Sequence, residues 1–130
     1  MNNDESGSLA GRVALVTGGS RGVGAATSKL FAARGANVIV NYFKNKGAAD
    51  KVVEEINKAA RGTEGYAISI QADVREQTQV EHMVKETIQR YGRIDILVNN
   101  AMVGQYFLKP FLETTWDDFL EKFNDEIKAA

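Results

Sequence analysis

Residues 16–24, VTGGSRGVG, have the residue types and spacing in this chain that most strongly suggest chemistry. Their glycines follow a short apolar run and precede residues with helical apolar spacing. A strand that ends in glycines and opens a helix offers an anion free backbone N–H groups and the positive end of the helix dipole. Glycine also lets a phosphate approach the backbone closely. The stretch predicts a phosphate-binding turn, and a tight strand-to-helix connection without a ligand is the alternative.

The charged residues around this turn are unevenly distributed. No acidic residue occurs between Glu5 and Asp50, whereas Arg21, Lys44 and Lys46 fall in that interval. Two interpretations are open, because scattered cations usually form a solvated face, while an acid-free stretch around a glycine turn also suits a bound anion. The formal charge of the chain is -1 at pH 7, which argues against general binding to nucleic acid or to an anionic membrane.

Other reactive groups are scarce. The chain has no cysteine, which excludes disulfides, thiolate catalysis and cysteine metal sites, and its single histidine, His82, lies in a helical pattern. We therefore assign no metal. No apolar run approaches the roughly 18 residues that cross a bilayer, and the polar start MNNDESGS is not a signal peptide. We expect a cytoplasmic protein with a flexible tail over residues 1–8 and one domain over residues 9–130.

Short apolar runs alternate with helical patterns along the chain. The predicted strands cover residues 13–16, 38–40, 66–70 and 94–98. The predicted helices lie over residues 23–33, 49–60, 80–91 and 116–127. Thr115 and Asp118 have the spacing of a cap for the last helix. Because strands that alternate with helices favour parallel pairing through right-handed crossovers, the pattern predicts an α/β layered sheet.

Three motifs follow these predicted strands. They are TGGSRGVG at 17–24, DV at 73–74 and NNA at 99–101. Together they resemble the T-G-x-x-x-G-x-G, adenine-contacting and N-N-A-G motifs of the short-chain dehydrogenase/reductase family. The resemblance runs from Leu9 to the end of the chain and is closest to the 3-oxoacyl-acyl-carrier-protein reductases. It implies a Rossmann-type doubly wound parallel sheet, truncated after four strands in the order 3-2-1-4.

The resemblance also implies which residues hold the family's nicotinamide cofactor. These residues are Gly18, Ser20, Arg21, Gly22, Val23, Gly24, Asn41, Tyr42, Lys44, Asp73, Val74, Asn99, Asn100 and Ala101. Two of them have alternative roles. Asp73 either accepts a hydrogen bond from the adenine amine or caps the following helix, and Asn99 either ties adjacent strands together or contacts the cofactor.

The region after the second strand predicts which dinucleotide is bound. NAD sites usually place an acid about 20 residues after the glycines to hold the ribose 2′-hydroxyl, but residues 40–46 contain none. Arg21, within the glycine turn, suits a 2′-phosphate, which a carboxylate would repel. We therefore expect NADP(H), as the resemblance also implies, although Lys44 and Lys46 by themselves also suit a solvated loop.

The family's catalytic residues are not found in this sequence. The resemblance implies a tyrosine acid, a lysine four residues later and a serine, all of which we expect after a fifth strand, beyond Ala130. Tyr42 and Lys46 have the Y-x-x-x-K spacing. We interpret that spacing as coincidental, because it follows the second strand, near the adenosine end of the cofactor.

Two positions depart from the family pattern. Met102 stands where N-N-A-G has glycine, and Glu126 falls where the family usually has a catalytic asparagine, unless the alignment slips toward Asn124. No catalytic residue is therefore assigned. The loop residues Gln105, Tyr106 and Phe107 either border the substrate pocket or pack as an ordinary loop.

The resemblance, together with these features, implies the cofactor-binding half of an NADP(H)-dependent reductase that transfers hydride to the carbonyl of a 3-oxoacyl thioester or a small ketone. We expect the 130-residue chain itself to be inactive. The alternatives are a non-catalytic NADP(H)-binding module and a structural fragment that self-associates. Because the fourth strand, IDILVNN, would be apolar on both faces at a sheet edge, and such edges recruit partners, we expect a homo-oligomer.

Overall fold

The computed structural model describes residues 7–62, 65–102 and 110–129. Within these residues four strands alternate with four α-helices, and a 3₁₀ turn at Phe111–Glu113 precedes the last helix. The strands are β1 (Val13–Val16), β2 (Asn37–Tyr42), β3 (Ala67–Gln71) and β4 (Ile96–Val98). The helices are α1 (Gly22–Ala33), α2 (Lys46–Ala59), α3 (Gln77–Tyr91) and α4 (Trp116–Ala129).

The four strands form one parallel sheet in the order β3-β2-β1-β4. The predicted Rossmann-type topology is confirmed. In the register of the sheet, Ala14 of β1 pairs with Val38 of β2 on one side and with Ile96 of β4 on the other. Because all four strands point the same way, their carboxyl ends share one edge of the sheet, and each predicted motif begins at that edge.

Apolar side chains cover the two faces of the sheet in separate clusters. On one face Val38 packs with Ile56 of α2, and on the other Leu15 and Ile39 pack with Met83 of α3. All four residues of β1 are buried, as expected for a strand with helices on both sides. These clusters hold the carboxyl ends of β1, β2 and β3 in fixed positions.

Fewer side chains from the rest of the described fold cover β4 and α4 than cover the other three strands. Leu97 in β4 is 59% exposed, and no residue of α4 is buried against the described part of the chain. The apolar stripe of α4 faces outward, and its members are Trp116, Phe119, Phe123 and Ile127. The rings of Trp116, Phe119 and Phe123 stack along the helix, with centroids 5.5 and 6.2 Å apart. The predicted edge position of the fourth strand is confirmed.

Element boundaries differ from the sequence prediction by a few residues, for local reasons. β4 begins at Ile96 rather than Ile94, because the Asp95 carboxylate accepts the Val13 N–H at 2.8 Å, before the regular ladder starts. α2 begins at Lys46, before its first buried apolar residue, because the Asn45 side chain accepts the Ala48 N–H and caps the helix.

Several predictions fall on residues outside those that the structure describes. These are most of the tail predicted over residues 1–8 and the loop residues Gln105, Tyr106 and Phe107. Among the described helices, none has both the length and the apolar character that crossing a membrane requires.

Candidate dinucleotide-binding site

The glycine turn between β1 and α1 has a backbone conformation that depends on glycine. Gly18 and Gly22 adopt φ values of +61° and +53°, in the left-handed region that side chains disfavour. Gly24 is required for a different reason, since a Cβ there would lie 2.2 Å from the Gly18 carbonyl oxygen and 2.6 Å from the Asn100 side-chain nitrogen. The turn is therefore pressed against the loop that follows β4, and larger residues would force the two apart.

Asn100 and Thr17 fasten the turn to that loop. The Asn100 side chain donates to the carbonyl oxygens of Thr17 and Gly18, at 3.2 and 3.1 Å. The Thr17 hydroxyl accepts the backbone N–H groups of Asn100 and Ala101, each at 3.0 Å. Asn100 thus links β1 to the loop after β4, while Asn99 is exposed at the end of β4 and its predicted role stays a prediction.

Asn41 fastens the other side of the turn, at the end of β2. Its amide oxygen accepts the Gly18 N–H at 3.3 Å, and its nitrogen donates to the carbonyl oxygens of Ile70 and Ala72. The side chain is 2% exposed, and that of neighbouring Tyr42 is also buried. Both side chains therefore lie inside the fold, and that of Asn41 holds the turn from behind, while a contact of either residue with the cofactor stays a prediction.

The first turn of α1 presents backbone donors at the same edge. Arg21 precedes the helix in an extended conformation, no side chain caps the helix there, and its first turn contains no acid. The opening N–H groups of an α-helix have no partner within the helix. Val23 and Arg21 are exposed, and Ser20 is half-buried. The first N–H groups of α1 therefore form a cradle of backbone donors next to the cation of Arg21.

A second group of charged residues lies at the ends of β2 and β3. Lys44 is exposed, with its Nζ 5.4 Å from the centre of the Phe43 ring. The guanidinium carbon of Arg75 lies 5.9 Å from the same ring centre. The Gln71 side chain donates to the Phe43 carbonyl at 3.0 Å, which ties the loop after β2 to the end of β3.

Asp73, directly after β3, is bound by Arg75. The Nε and NH2 groups of Arg75 donate to its two carboxylate oxygens, each at 3.0 Å. These bonds hold the pKa of the Asp73 carboxyl below its ordinary value. The alternative role as the α3 cap is wrong, because α3 begins after Glu76, and the Asp73 carboxylate instead accepts the Arg75 N–H. Val74 beside it is buried.

Arg75 was not predicted as a site residue, and neither was Asp125. Arg75 NH1 lies 3.7 Å from the Asp125 carboxylate, which links α4 to the loop after β3. An arginine two residues after a strand-end aspartate is a signal visible in the sequence. The link to α4 is not, because it joins positions 50 residues apart.

The remaining predicted positions do not assemble a proton donor. Lys46 is paired with Asp50 on the surface of α2, while Tyr42 is buried, so this pair does not form an exposed acid with a cation beside it. Glu126 is paired with Lys122 at 2.7 Å on α4. Met102 is exposed. Among the described residues, no group of acids and histidine is placed to hold a metal ion.

The donor set at this edge fits a nicotinamide dinucleotide. A bulky anion needs bare backbone with open space beside it, and the turn supplies both at Gly22, where a Cβ would meet no described atom within 4 Å. Exposed cations flank the turn, while Asp73, a residue that is 7% exposed, places its carboxylate beyond the end of β3. A cavity of about 150 Å³ between α1 and α2 includes Lys29 and Ile56. It lies toward the C-terminal end of α1, at the opposite end of that helix from the turn.

The family model for short chain dehydrogenases matches residues 12–129. Since the match covers nearly the whole chain and the fold and glycine turn agree with it, this chain belongs to the short-chain dehydrogenase family.

Individual relatives agree with this assignment. A 3-oxoacyl-[acyl-carrier-protein] reductase from Synechocystis is 50% identical over 93 residues, which cover 72% of this chain and 36% of that protein. The short-chain dehydrogenase/reductase homolog YusS from Bacillus subtilis is 41% identical over 107 residues, which cover 82% of this chain and 94% of that protein.

Solved structures give the same result. A short chain dehydrogenase from Burkholderia cenocepacia, crystallised in complex with NADP, is 40% identical with a TM-score of 0.74, and the match covers 93% of this chain and 49% of that one. The chain thus spans less than half the length of the Synechocystis and Burkholderia proteins, and most of the length of YusS.

Proposed function

We propose that this chain is the NADP(H)-binding half of a carbonyl reductase. The observation that carries the proposal is the cradle at the carboxyl ends of β1 and β4. There Gly24 abuts the Gly18 carbonyl, Asn100 holds the turn, and the first N–H groups of α1 open outward. Such a cradle suits a pyrophosphate, because several backbone donors and the helix dipole converge on one point.

The preference for NADP(H) over NAD(H) is supported by the charges around the cradle. Residues 40–46, after β2, contain no acid that would hold a ribose 2′-hydroxyl. Arg21 and Lys44 are exposed on the turn and on the loop after β2. A guanidinium makes charge-assisted hydrogen bonds to phosphate that a neutral ribose cannot match. The NADP in the related Burkholderia structure is consistent with this choice.

Bound NADPH would supply hydride for reduction of a carbonyl, and the chain's own residues bind and orient the dinucleotide. Backbone N–H groups of the glycine turn hold the pyrophosphate, Asp73 accepts from the adenine amine, and Arg21 contacts the 2′-phosphate. The substrate class we propose is a 3-oxoacyl thioester or a small ketone. Because Tyr42 is buried and Lys46 is paired with Asp50, we infer that the 130 residues by themselves bind NADP(H) without turnover.

A non-catalytic NADP(H)-binding module is the second candidate. The match to YusS favours it, because 94% of that protein lies within the matched region. The two candidates share the same site and differ in whether a catalytic segment acts on the cofactor that this site holds. A homo-oligomeric state and a cytoplasmic location remain predictions from the sequence.

The test is a titration of the chain with NADPH and with NADH, followed by an assay of NADPH oxidation with an acetoacetyl thioester and several small ketones. We expect tighter binding of NADPH and no turnover. Equal affinities, or tighter NADH, would contradict the NADP(H) proposal. Turnover that Tyr42→Phe abolishes would show that the Tyr42–Lys46 pair is catalytic after all, whereas turnover unaffected by that change would place the proton donor elsewhere in the chain.

A further inference from the structure

Arg75 occupies the centre of a compact group of side chains at the adenosine end of the proposed site. One edge of its guanidinium holds both oxygens of Asp73 at 3.0 Å. The guanidinium carbon lies 5.9 Å from the ring centre of Phe43. Its NH1 group is 3.7 Å from the carboxylate of Asp125. The side chain is 29% exposed, so it belongs to the surface of the site but is packed on several sides.

Lys44 also lies over the ring of Phe43. Its Nζ lies 5.4 Å from the ring centre of Phe43, and its charge contributes to the lowered pKa of Asp73. The loop after β2, which we propose to face the 2′-phosphate, is therefore close enough for electrostatic interaction with Asp73. The side chain of Asp73 is 9% exposed.

This proximity creates an electrostatic conflict. An ionised carboxylate beside a 2′-phosphate repels it, and NAD-specific sites use an acid near the ribose for that purpose. Yet the same carboxylate is the acceptor that suits the adenine amine. A site that takes NADP(H) therefore needs Asp73 to keep its acceptor oxygens while its charge is compensated.

We propose that Arg75 resolves this conflict and is a positioning residue that sets the preference for NADP(H). Its planar guanidinium fixes the orientation of Asp73 through two bonds and compensates the negative charge, and Phe43 and Asp125 hold the guanidinium in place. This inference rests on the proposed NADP(H) site and concerns how that site discriminates between dinucleotides.

A second arginine–aspartate pair provides a matched control. Arg93 binds Asp95 with the same two-residue separation, through Nε at 2.9 Å and NH2 at 2.6 Å. Asp95 also accepts the Val13 N–H, which places this pair at the amino ends of β1 and β4. The proposed cofactor site lies at the opposite, carboxyl, edge of the sheet. We therefore expect loss of this pair to leave the nucleotide site unchanged.

The experiment measures affinity for 2′,5′-ADP and for 5′-ADP, which differ only in the 2′-phosphate and probe the adenosine end alone. The variants are Arg75→Gln, Arg93→Gln and the double variant Asp73→Asn/Arg75→Gln. For Arg75→Gln we expect the preference for 2′,5′-ADP to fall on the order of tenfold, because a close uncompensated charge acts on that scale. Arg93→Gln should leave the preference unchanged.

The double variant decides how Arg75 acts. If Arg75 compensates Asp73, removing both charges restores the preference to within about threefold of the unmodified chain. If the preference stays low, Arg75 contacts the phosphate itself, and the proposed mechanism is overturned. Arg75→Lys, which keeps the charge, should retain most of the preference. It keeps the proposal falsifiable if Arg75→Gln fails to fold, as judged by circular dichroism.

The unmodified chain separates the failure of this inference from that of the proposed function. If it binds neither nucleotide, both are overturned. If it prefers 2′,5′-ADP and Arg75→Gln shows the same preference, the NADP(H) site stands and only the role of Arg75 is wrong.

Discussion

β1 and β4 are short apolar strands that pair with each other in one sheet, yet their surroundings differ greatly. β1 lies between two partner strands, and all of its residues are buried. Within the described residues β4 pairs with β1 alone, and Leu97 within it is 59% exposed. We call β1, β2 and the glycine turn the inner region, and β4 with α4 the outer region. An apolar run thus specifies a strand, whereas the strand's neighbours decide how much of it is buried.

The proposed cofactor site follows the same division. Its glycine turn is held from behind by Asn41, which is inaccessible, and from the side by Asn100, which follows β4. The inner region therefore holds the back of the glycine turn. The segment after β4 contributes Asn100, and the outer region contributes Asp125, which pairs with Arg75.

The largest expected effect is a difference between the two regions in how much a truncated apolar side chain lowers the free energy of unfolding. Ile39→Ala removes a fully buried side chain from the inner region and should lower the free energy of unfolding by about 2–5 kcal/mol. Leu97→Ala in the outer region should cost less than about 1 kcal/mol, because that side chain is already in contact with solvent. Urea unfolding followed by circular dichroism measures both. Equal losses would show that the outer region is packed as tightly as the inner one.

Gly24→Ala tests the tight approach between the regions. The added Cβ would meet the Gly18 carbonyl oxygen at 2.2 Å, so we expect a loss of about 1–3 kcal/mol in stability together with weaker NADPH binding. The control is Gly47→Ala on α2, where the nearest atom is 3.8 Å away. That change should be neutral or stabilising, since alanine favours helix. Unfolding and NADPH titration are compared for the two variants, and similar behaviour would contradict the close packing.

Arg21→Ala tests whether the charge next to the inner region selects the dinucleotide. We expect NADPH affinity to fall about tenfold with little change for NADH, because a charge-assisted contact to the 2′-phosphate is lost. Lys128→Ala removes an exposed cation from the outer region and serves as the control. Calorimetric titration gives both affinities, and a parallel loss for NADPH and NADH would argue against a role in selection.

Acid should weaken the pair between Arg75 and Asp73, beside the inner region. The pKa of Asp73 is lowered in the fold by its hydrogen bonds from Arg75. Because this pKa is lower in the folded chain than in the unfolded chain, the ionised carboxylate stabilises the fold at any pH above the unfolded pKa, which is about 4. That contribution is lost as the pH falls through the folded pKa. Between neutral pH and a pH below about 4, the unmodified chain should therefore lose more stability than the Asp73→Asn variant loses over the same range. Urea midpoints at neutral and acidic pH provide the comparison, and parallel pH profiles would contradict it.

Self-association is the weakest expected effect and concerns only the outer region. We predict that the chain associates through residues 94–100 or the apolar face of helix 116–128, where Phe123 is 53% exposed. Phe123→Lys should reduce the apparent mass in light scattering. Leu30→Lys, at a residue of similar exposure on α1, should not. A monomeric unmodified chain at high concentration would contradict the prediction.

The order of elements and the parallel sheet could be read from the sequence because they depend on local periodicity. Alternating apolar runs and helical patterns predict βαβ units, and such units have few allowed topologies. The glycine turn was also predictable, because a turn that needs backbone without side chains requires glycines, and these can be read directly from the sequence. Boundaries shifted where a side chain such as Asp95 replaced a ladder partner.

The tertiary structure alone decided which polar side chains build the site and which face it. The fold turns the Asn100 amide nitrogen and the Asn41 amide oxygen onto the backbone of the glycine turn, a role that the residue types alone do not specify. The Arg75–Asp73 pair is local in sequence, while its anchoring by Phe43 and Asp125 joins separate elements. Residue type sets what a side chain can bind, and the packing of distant segments sets which partner it meets.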